Sequence, residues 1–367
     1  MAERDNYYDY IRALAALLVL FGHKGKMPGG AIGVSIFFCL SGFLITQILI
    51  ALPTLSLSNL AKFIFRRWMR IYPLYVAALG MTYLLMQHYR PESIQEFTSA
   101  LPGMLTFTHE PNWTGYAAAV GWTLHAEFWF YVCFPFIFAL TYRCGLLPLA
   151  IGLLIVTSVL AKIFAGHGEP AKWLTGNDQW LTVIYLDQLM YGALCSFLIA
   201  KQSPAVQLFA SRWWFWGTLL ISLAMGKLLP FKGYDVYWYL KTSGAALLCA
   251  IAILHHAARP KMLKDNFIAW LGRISFSIYL VHAIVLDYLP AKEIPEKLDT
   301  PSFVLIVLIL SFLTERFIER PGIWLSKTLA KFRPAPPERL LSSDARRPPD
   351  YQHLRSAGAG SYSEPNP

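Results

Sequence analysis

A short set of ionisable side chains falls inside long apolar stretches of this sequence: Arg12, His23, His125, Glu127, Lys162, Asp187, Lys241, His282, Glu315 and Arg316. Ionisable groups are costly inside a membrane and usually mark a functional site. Arg12 and His23 stand eleven residues apart. That is close to three helical turns, so both side chains share one face, about 16 Å apart along the axis. With Arg12 near one edge of a ~30 Å hydrocarbon core, His23 lies beyond the midplane. A neutral imidazole there can take a proton from a hydroxyl as it attacks a carbonyl. The alternative is an interfacial arginine anchor and a histidine packed against another helix.

His282 and Glu127 fall at comparable depth on other stretches. With His23 they are expected to converge in the outer half of the membrane as a proton-handling or hydrolytic site. Three separate inter-helix hydrogen bonds are the competing reading. A metal held by His23, His282 and Glu127 lacks short ligand spacing such as H-E-x-x-H, and no metal is expected.

The segment Phe65-Arg66-Arg67-Trp68-Met69-Arg70-Ile71-Tyr72-Pro73 opens an apolar stretch. Arg67 and Arg70 are neighbours on a helical face. Paired guanidinium groups suit phosphate oxygens, so a phosphate-bearing cytoplasmic ligand fits there. The alternative is a positive-inside cluster that binds only lipid headgroups. In the run from Gly33 to Thr46, Ser41 and Gly42 permit close approach of another backbone. That serves helix packing, or a narrow passage for a slender ligand. The five cysteines include no CxxC pair and read as small buried hydrophobes.

The elements that must carry these residues follow from composition. The chain has 367 residues, 56% hydrophobic and only 15% charged. Mean hydropathy is +0.43. A soluble domain carries about 25% charged residues. Disordered chains, coiled coils and ordinary nucleic-acid-binding domains are excluded, and no nucleic-acid partner is expected. The expected fold is an all-α polytopic integral membrane protein. Candidate spans are 8–26, 31–51, 70–87, 116–141, 146–165, 181–200, 213–230, 239–258, 267–289 and 301–320. Residues 95–108 are too short to span and read as a re-entrant or surface helix.

About ten transmembrane helices put both termini on one side. With that side cytoplasmic, inner segments carry Lys62, Arg66, Arg67, Arg70, Arg143, Lys201, Arg212, Arg259, Lys261, Lys264 and Arg273. Outer loops hold only Lys24, Lys26, Arg90, Lys172, Lys232, Lys292 and Lys297. The positive-inside rule demands this asymmetry. The formal net charge of +10 is then a topology signal. Trp213, Trp214 and Trp216, with Trp180 and Trp238, suit interfacial belts. The leading segment carries Glu3, Asp5 and Asp9, so a retained helix is expected rather than a signal peptide. Residues 1–325 form the transmembrane domain and 326–367 a cytoplasmic tail. From about 333 the tail is rich in Pro, Ser, Arg and Gly and is expected to be disordered.

Taken in order, several segments resemble the membrane acyltransferase 3 family. They are the Arg12-x10-His23 pair, GVSIFFCLSGFLIT at 33–46, FRRWMRIYP at 65–73, and Trp122-Thr123-Leu124-His125-Ala126-Glu127. Ser275-Phe276-Ser277-Ile278-Tyr279-Leu280-Val281-His282 and Glu319-Arg320-Pro321 complete the set. The resemblance covers about 7 to 325. It implies a multi-pass protein of a bacterial plasma (inner) membrane, moving an acetyl group from cytoplasmic acetyl-CoA to a glycan hydroxyl. Exopolysaccharide, O-antigen or a lipid-linked sugar would be the acceptor, with membrane lipids as surroundings.

By that resemblance His23 is the catalytic base or transient acetyl carrier, and Arg12 its motif partner. Arg67 and Arg70, with Tyr72 in the same segment, would contact the donor. Glu127 is the motif acid, and His282, His125 and Ser41 are supporting groups. One continuous shaft would run from the arginines to His23. Two departures stand out. Ser35 occupies a position where the family commonly has an acid, and Thr-Leu-His-Ala-Glu replaces its usual Ser-Leu-Ser pattern. Glu127 and His125 are candidates to orient His23 in place of that acid. A proton-coupled transporter or flippase of a glycan or lipid is the alternative, using Glu127, Asp187, Lys241 and His282 as a relay. No internal repeat of the kind transporters carry is evident.

Overall fold

A computed structural model describes residues 5–25, 29–108, 120–165, 181–211, 213–214, 216–217, 236–288 and 296–330. Every regular element among them is helical. In chain order they are α1 Tyr7–His23, α2 Gly30–Ile50, α3 Leu57–Tyr89, α4 Ile94–Thr106, α5 Gly121–Tyr142 and α6 Leu147–Ala165. After a single turn at Leu181–Ile184 come α7 Leu186–Ala200 and α8 Val236–Ala258. The last are α9 Phe267–Arg273, α10 Ser275–Tyr288, α11 Glu296–Thr314, a π-helical turn at Glu315–Glu319, and α12 Arg320–Leu329.

Among the described residues, four helical stretches are long and apolar enough to cross a membrane: Gly30–Ile50, Leu57–Tyr89, Gly121–Tyr142 and Asp299–Leu329. The pair α9 and α10, bent by 74° at Ile274, makes a fifth if taken as one span. α6 and α7 contribute shorter apolar helices, Leu147–Ile163 and Leu186–Ala200. Exposed apolar side chains such as Leu140, Leu153, Leu305 and Phe312 ring these helices. Such a surface is stable where every backbone polar group is satisfied inside the helix and lipid surrounds it.

Several expected boundaries move, each for a local reason. The span placed at 70–87 belongs to a helix starting at Leu57. Ser56 caps that helix, its hydroxyl accepting from the Asn59 amide. The basic segment is therefore helical, and Arg67 and Arg70 lie within α3. The span at 181–200 is interrupted at Tyr185. The span at 301–320 continues through the π turn to Leu329. The stretch at 95–108 is indeed a short helix, with Phe97 and Met104 buried. Most of 213–230, Trp180, the side chain of Trp238 and the tail after 330 lie outside the described residues.

α2 is the central element, apolar on every face and packed on α1, α5, α7 and α8. In lipid, burial brings little hydrophobic gain, so close packing and interhelical hydrogen bonds hold helices together. At the crossing of α2 and α7 the backbones touch. A side chain on Gly42 would strike the Leu189 carbonyl, and one on Gly192 the Cys39 carbonyl. Ser196 Oγ then donates to the Phe43 carbonyl at 2.8 Å. Cys39, Cys195 and Cys249 are buried, as expected of small apolar groups, but Cys133 and Cys144 are exposed. They sit on outward helix faces or turns, where lipid or solvent serves as well as a core.

Candidate functional site

Three apolar clusters fill the bundle, and Phe37 of α2 packs against all three. Below Phe37 lies a cavity of about 100 Å³. Its polar lining comes from α1 (Arg12), α2 (Ser41), α3 (Arg67, Arg70) and α5 (Thr123, Glu127, Tyr131). Ser275 and Tyr279 of α10 complete it.

The acid in this cavity is held by hydroxyls. Both Ser41 Oγ and Tyr131 Oη donate to Glu127 Oε1. Tyr131 follows Glu127 by four residues, one helical turn, so α5 itself supplies that donor. Arg12 pairs with Asp9 at 2.8 Å, also one turn apart on its own helix. Arg67 lies over the Phe63 ring at 5.8 Å. The cavity thus joins guanidinium groups from two helices to one anchored carboxylate. It can hold a polyanion whose charge is met on several sides.

The histidines meet elsewhere. His23 Nδ1 lies 3.1 Å from His282 Nε2, with the rings nearly parallel and 5.1 Å apart. His282 is buried, and its Nδ1 lies 3.1 Å from the Ile278 carbonyl. A carbonyl only accepts, so His282 Nδ1 carries the proton there. In the neutral ring Nε2 is then the acceptor, and His23 Nδ1–H donates to it. His23 Nε2 is left as the unprotonated, basic nitrogen. Gly30 stands beside it, where even an added Cβ would lie 3.5 Å from Nε2. Next along the chain, Lys24 pairs with Asp299 of α11 at 2.8 Å.

The sequence-based candidates therefore divide into two groups. Arg12, Ser41, Arg67, Arg70 and Glu127 share the cavity, while His23 and His282 form a pair outside its lining. Glu127 does not join the histidines as the depth estimate suggested, because it turns to Ser41 and Tyr131. His125 is buried on α5 near Trp129, and Tyr72 stacks on Trp68 at 4.4 Å; neither lines the cavity. His23 meets His282, while Ser35 donates to Ala31 of its own helix at 2.9 Å.

His23 and His282 are not among the residues that line the cavity. The α10 residues on the cavity wall, Ser275, Phe276 and Tyr279, all precede His282. Phe37 and Tyr279, both on the cavity wall, meet edge to face at 6.2 Å, and the Tyr279 ring lies 5.8 Å from that of His282.

Some contributors were passed over in the sequence. Tyr131 was signalled by its spacing from Glu127, and Tyr279 lay within a quoted segment. Glu319 is buried and accepts from Ser277 Oγ at 3.1 Å. The π turn carries it inward, and π turns often mark functional positions.

Lys162 lies inside the bundle. It is buried, 2.5 Å from Asp187 Oδ1 and 2.5 Å from Ser243 Oγ. Ser243 and Ser158 also donate to the Asp187 carboxylate, at 2.6 and 3.0 Å. This network ties α6, α7 and α8 together. Among the described residues no group of three or more His, Cys, Asp or Glu is arranged to hold a metal ion.

A family model described as an acyltransferase domain matches residues 5–315. The chain belongs to that family. Its acyltransferase domain therefore contains both the arginine cavity and the histidine pair. The peptidoglycan O-acetyltransferase OatA of Listeria monocytogenes is 26% identical over 349 residues, covering 85% of this chain and 55% of OatA. The putative O-acetyltransferase SACOL0978 of Staphylococcus aureus is 22% identical, covering 85% of this chain and 56% of its own length. Nodulation protein 10 of Rhizobium leguminosarum bv. viciae is 24% identical, covering 78% and 84%. The chain thus spans a little over half the length of the first two relatives. No solved structure matches this chain.

Proposed function

We propose that this chain is a membrane-embedded O-acetyltransferase of a bacterial plasma membrane, moving an acetyl group from cytoplasmic acetyl-CoA to a glycan hydroxyl. The names of OatA and SACOL0978 support O-acetyl transfer, and that of OatA supports a glycan acceptor. The observation that carries the reading is the contact of His23 Nδ1 with His282 Nε2 at 3.1 Å, which makes His23 Nε2 the basic nitrogen.

In this reading Arg67 and Arg70 bind the coenzyme A phosphates, with Arg12 and Glu127 completing the charge pattern of the cavity. His23 Nε2 takes the proton of the acceptor hydroxyl as its oxygen attacks the thioester carbonyl. The tetrahedral intermediate collapses, the C–S bond breaks, and the coenzyme A thiolate recovers the proton from the imidazolium. A transient acetyl on His23, passed on to the hydroxyl in a second step, uses the same groups. The domain comprises residues 1–325 with about ten spans and both termini cytoplasmic, and 326–367 forms the tail.

The test is acetyl-CoA binding by the purified protein, together with acetyl content of the surface glycan in cells. Binding lost in Arg67→Ala with Arg70→Ala, and acetylation lost in His23→Ala, are the expected results. Unchanged acetylation in His23→Ala would overturn the assignment.

A further inference from the structure

We infer that Tyr279 is a positioning gate between the arginine cavity and the histidine pair, latched shut from the first turn of α5. The inference rests on the proposed route of an acyl group from that cavity to His23.

Tyr279 belongs to both compartments. It lines the cavity, and its ring centroid lies 5.8 Å from that of His282. One helical turn separates the two residues on α10. Whatever carries an acyl group upward must pass the level that this ring and Phe37 occupy. Phe37 is held by three apolar clusters at once, so it is the fixed half of the barrier.

Tyr279 is held differently, by its tip. Tyr279 Oη lies 2.7 Å from Thr123 Oγ1 and 3.2 Å from the Val120 carbonyl oxygen. Thr123 Oγ1 lies 3.0 Å from the same carbonyl, so when Thr123 donates to Tyr279 Oη, the tyrosine donates to Val120. Both partners are neutral, one a hydroxyl and one a carbonyl. Hydrogen bonds of this kind contribute little net stability each, so the latch can open thermally. A barrier that opens only briefly keeps the thioester from a basic nitrogen and water until the acceptor is present. Gating of that sort commits a reactive group to transfer rather than hydrolysis.

The experiment uses the full chain in detergent or nanodiscs without acceptor. Acetyl-CoA binding is measured by calorimetry, and hydrolysis by release of the coenzyme A thiol. Tyr279→Ala removes the barrier. Thr123→Val keeps the bulk and removes one latch bond, and Tyr279→Phe removes both. Loss of one neutral hydrogen bond is expected to raise acceptor-independent hydrolysis about fivefold in Thr123→Val, and loss of both to raise it further in Tyr279→Phe. Tyr279→Ala is expected to raise it about tenfold or more. The excess is expected to vanish when His23→Gln is added, with acetyl-CoA still bound.

Hydrolysis unchanged or lowered in both latch variants, with acetyl-CoA binding retained, overturns the gate and leaves the donor reading standing. Raised hydrolysis that persists with His23→Gln also overturns it, since the opened path would not lead to His23. Absence of acetyl-CoA binding in the unmodified chain overturns the donor reading itself, and the gate with it.

Discussion

His23 Nδ1 and His282 Nε2 lie 3.1 Å apart, at the end of α1 and the middle of α10. The second ring is fixed by the Ile278 carbonyl, so proton positions on the first follow from it. An imidazole thereby takes the orienting place that a carboxylate commonly fills beside a catalytic histidine.

If His282 orients His23, removing its acceptor nitrogen costs turnover rather than donor binding. His282→Leu is expected to lower kcat at least about tenfold with little change in the KM for acetyl-CoA. His282→Gln, which keeps an acceptor, recovers part of the loss. Steady-state thiol release under both substitutions checks this, and equal losses in the two would count against an orienting role.

Arg67 and Arg70 face one cavity one turn apart. Replacing either with Ala is expected to raise the acetyl-CoA KM about tenfold or more, by loss of charge-assisted hydrogen bonds worth about 1.5–3 kcal/mol each. Lysine keeps the charge but not the planar fork, so Arg67→Lys restores binding only in part. Binding titrations with acetyl-CoA and with dephospho-CoA thioester read the phosphate dependence directly.

Glu127 receives hydroxyl hydrogen bonds from both Ser41 and Tyr131. Tyr131→Phe removes one donor to a carboxylate and is expected to cost about 1.5–3 kcal/mol. Adding Glu127→Gln makes the Tyr131→Phe loss smaller, because the charge is gone. A double-mutant cycle on thermal unfolding in detergent measures the coupling.

Lys162 and Asp187 are buried partners at 2.5 Å, away from the cavity. Lys162→Met strands a carboxylate and is expected to destabilise by about 3–5 kcal/mol. The double replacement Lys162→Met with Asp187→Leu is milder, since no charge is left unpaired. Activity per folded molecule is expected to hold in the double variant. Its loss there would assign the pair to transport or proton transfer instead.

Gly42 and Gly80 make a matched pair for packing. An added side chain at Gly42 meets the α7 backbone, whereas at Gly80 it meets nothing within 4 Å. Gly42→Ala is expected to abolish folded protein. Gly80→Ala is expected to be neutral or stabilising by up to about 1 kcal/mol, as alanine prefers helix. Yield of monodisperse protein and its unfolding temperature decide.

The sequence determined what depends on neighbours along the chain. Apolar run length set the helical class, and the spacing of Arg67 from Arg70 set a shared face. The order of short segments set the family, because each carries its residue types locally. Only the tertiary structure decided which faces meet. His23 and His282 are 259 residues apart, and Glu127 and Ser41 are 86 apart. Their pairing follows from how α1, α2, α5 and α10 rotate about their own axes. Depth counting along a helix fixes height but not that rotation. Hence it drew Glu127 to the histidines, when α5 turns it toward the arginines, and it left unseen the ring of Tyr279 standing between the two.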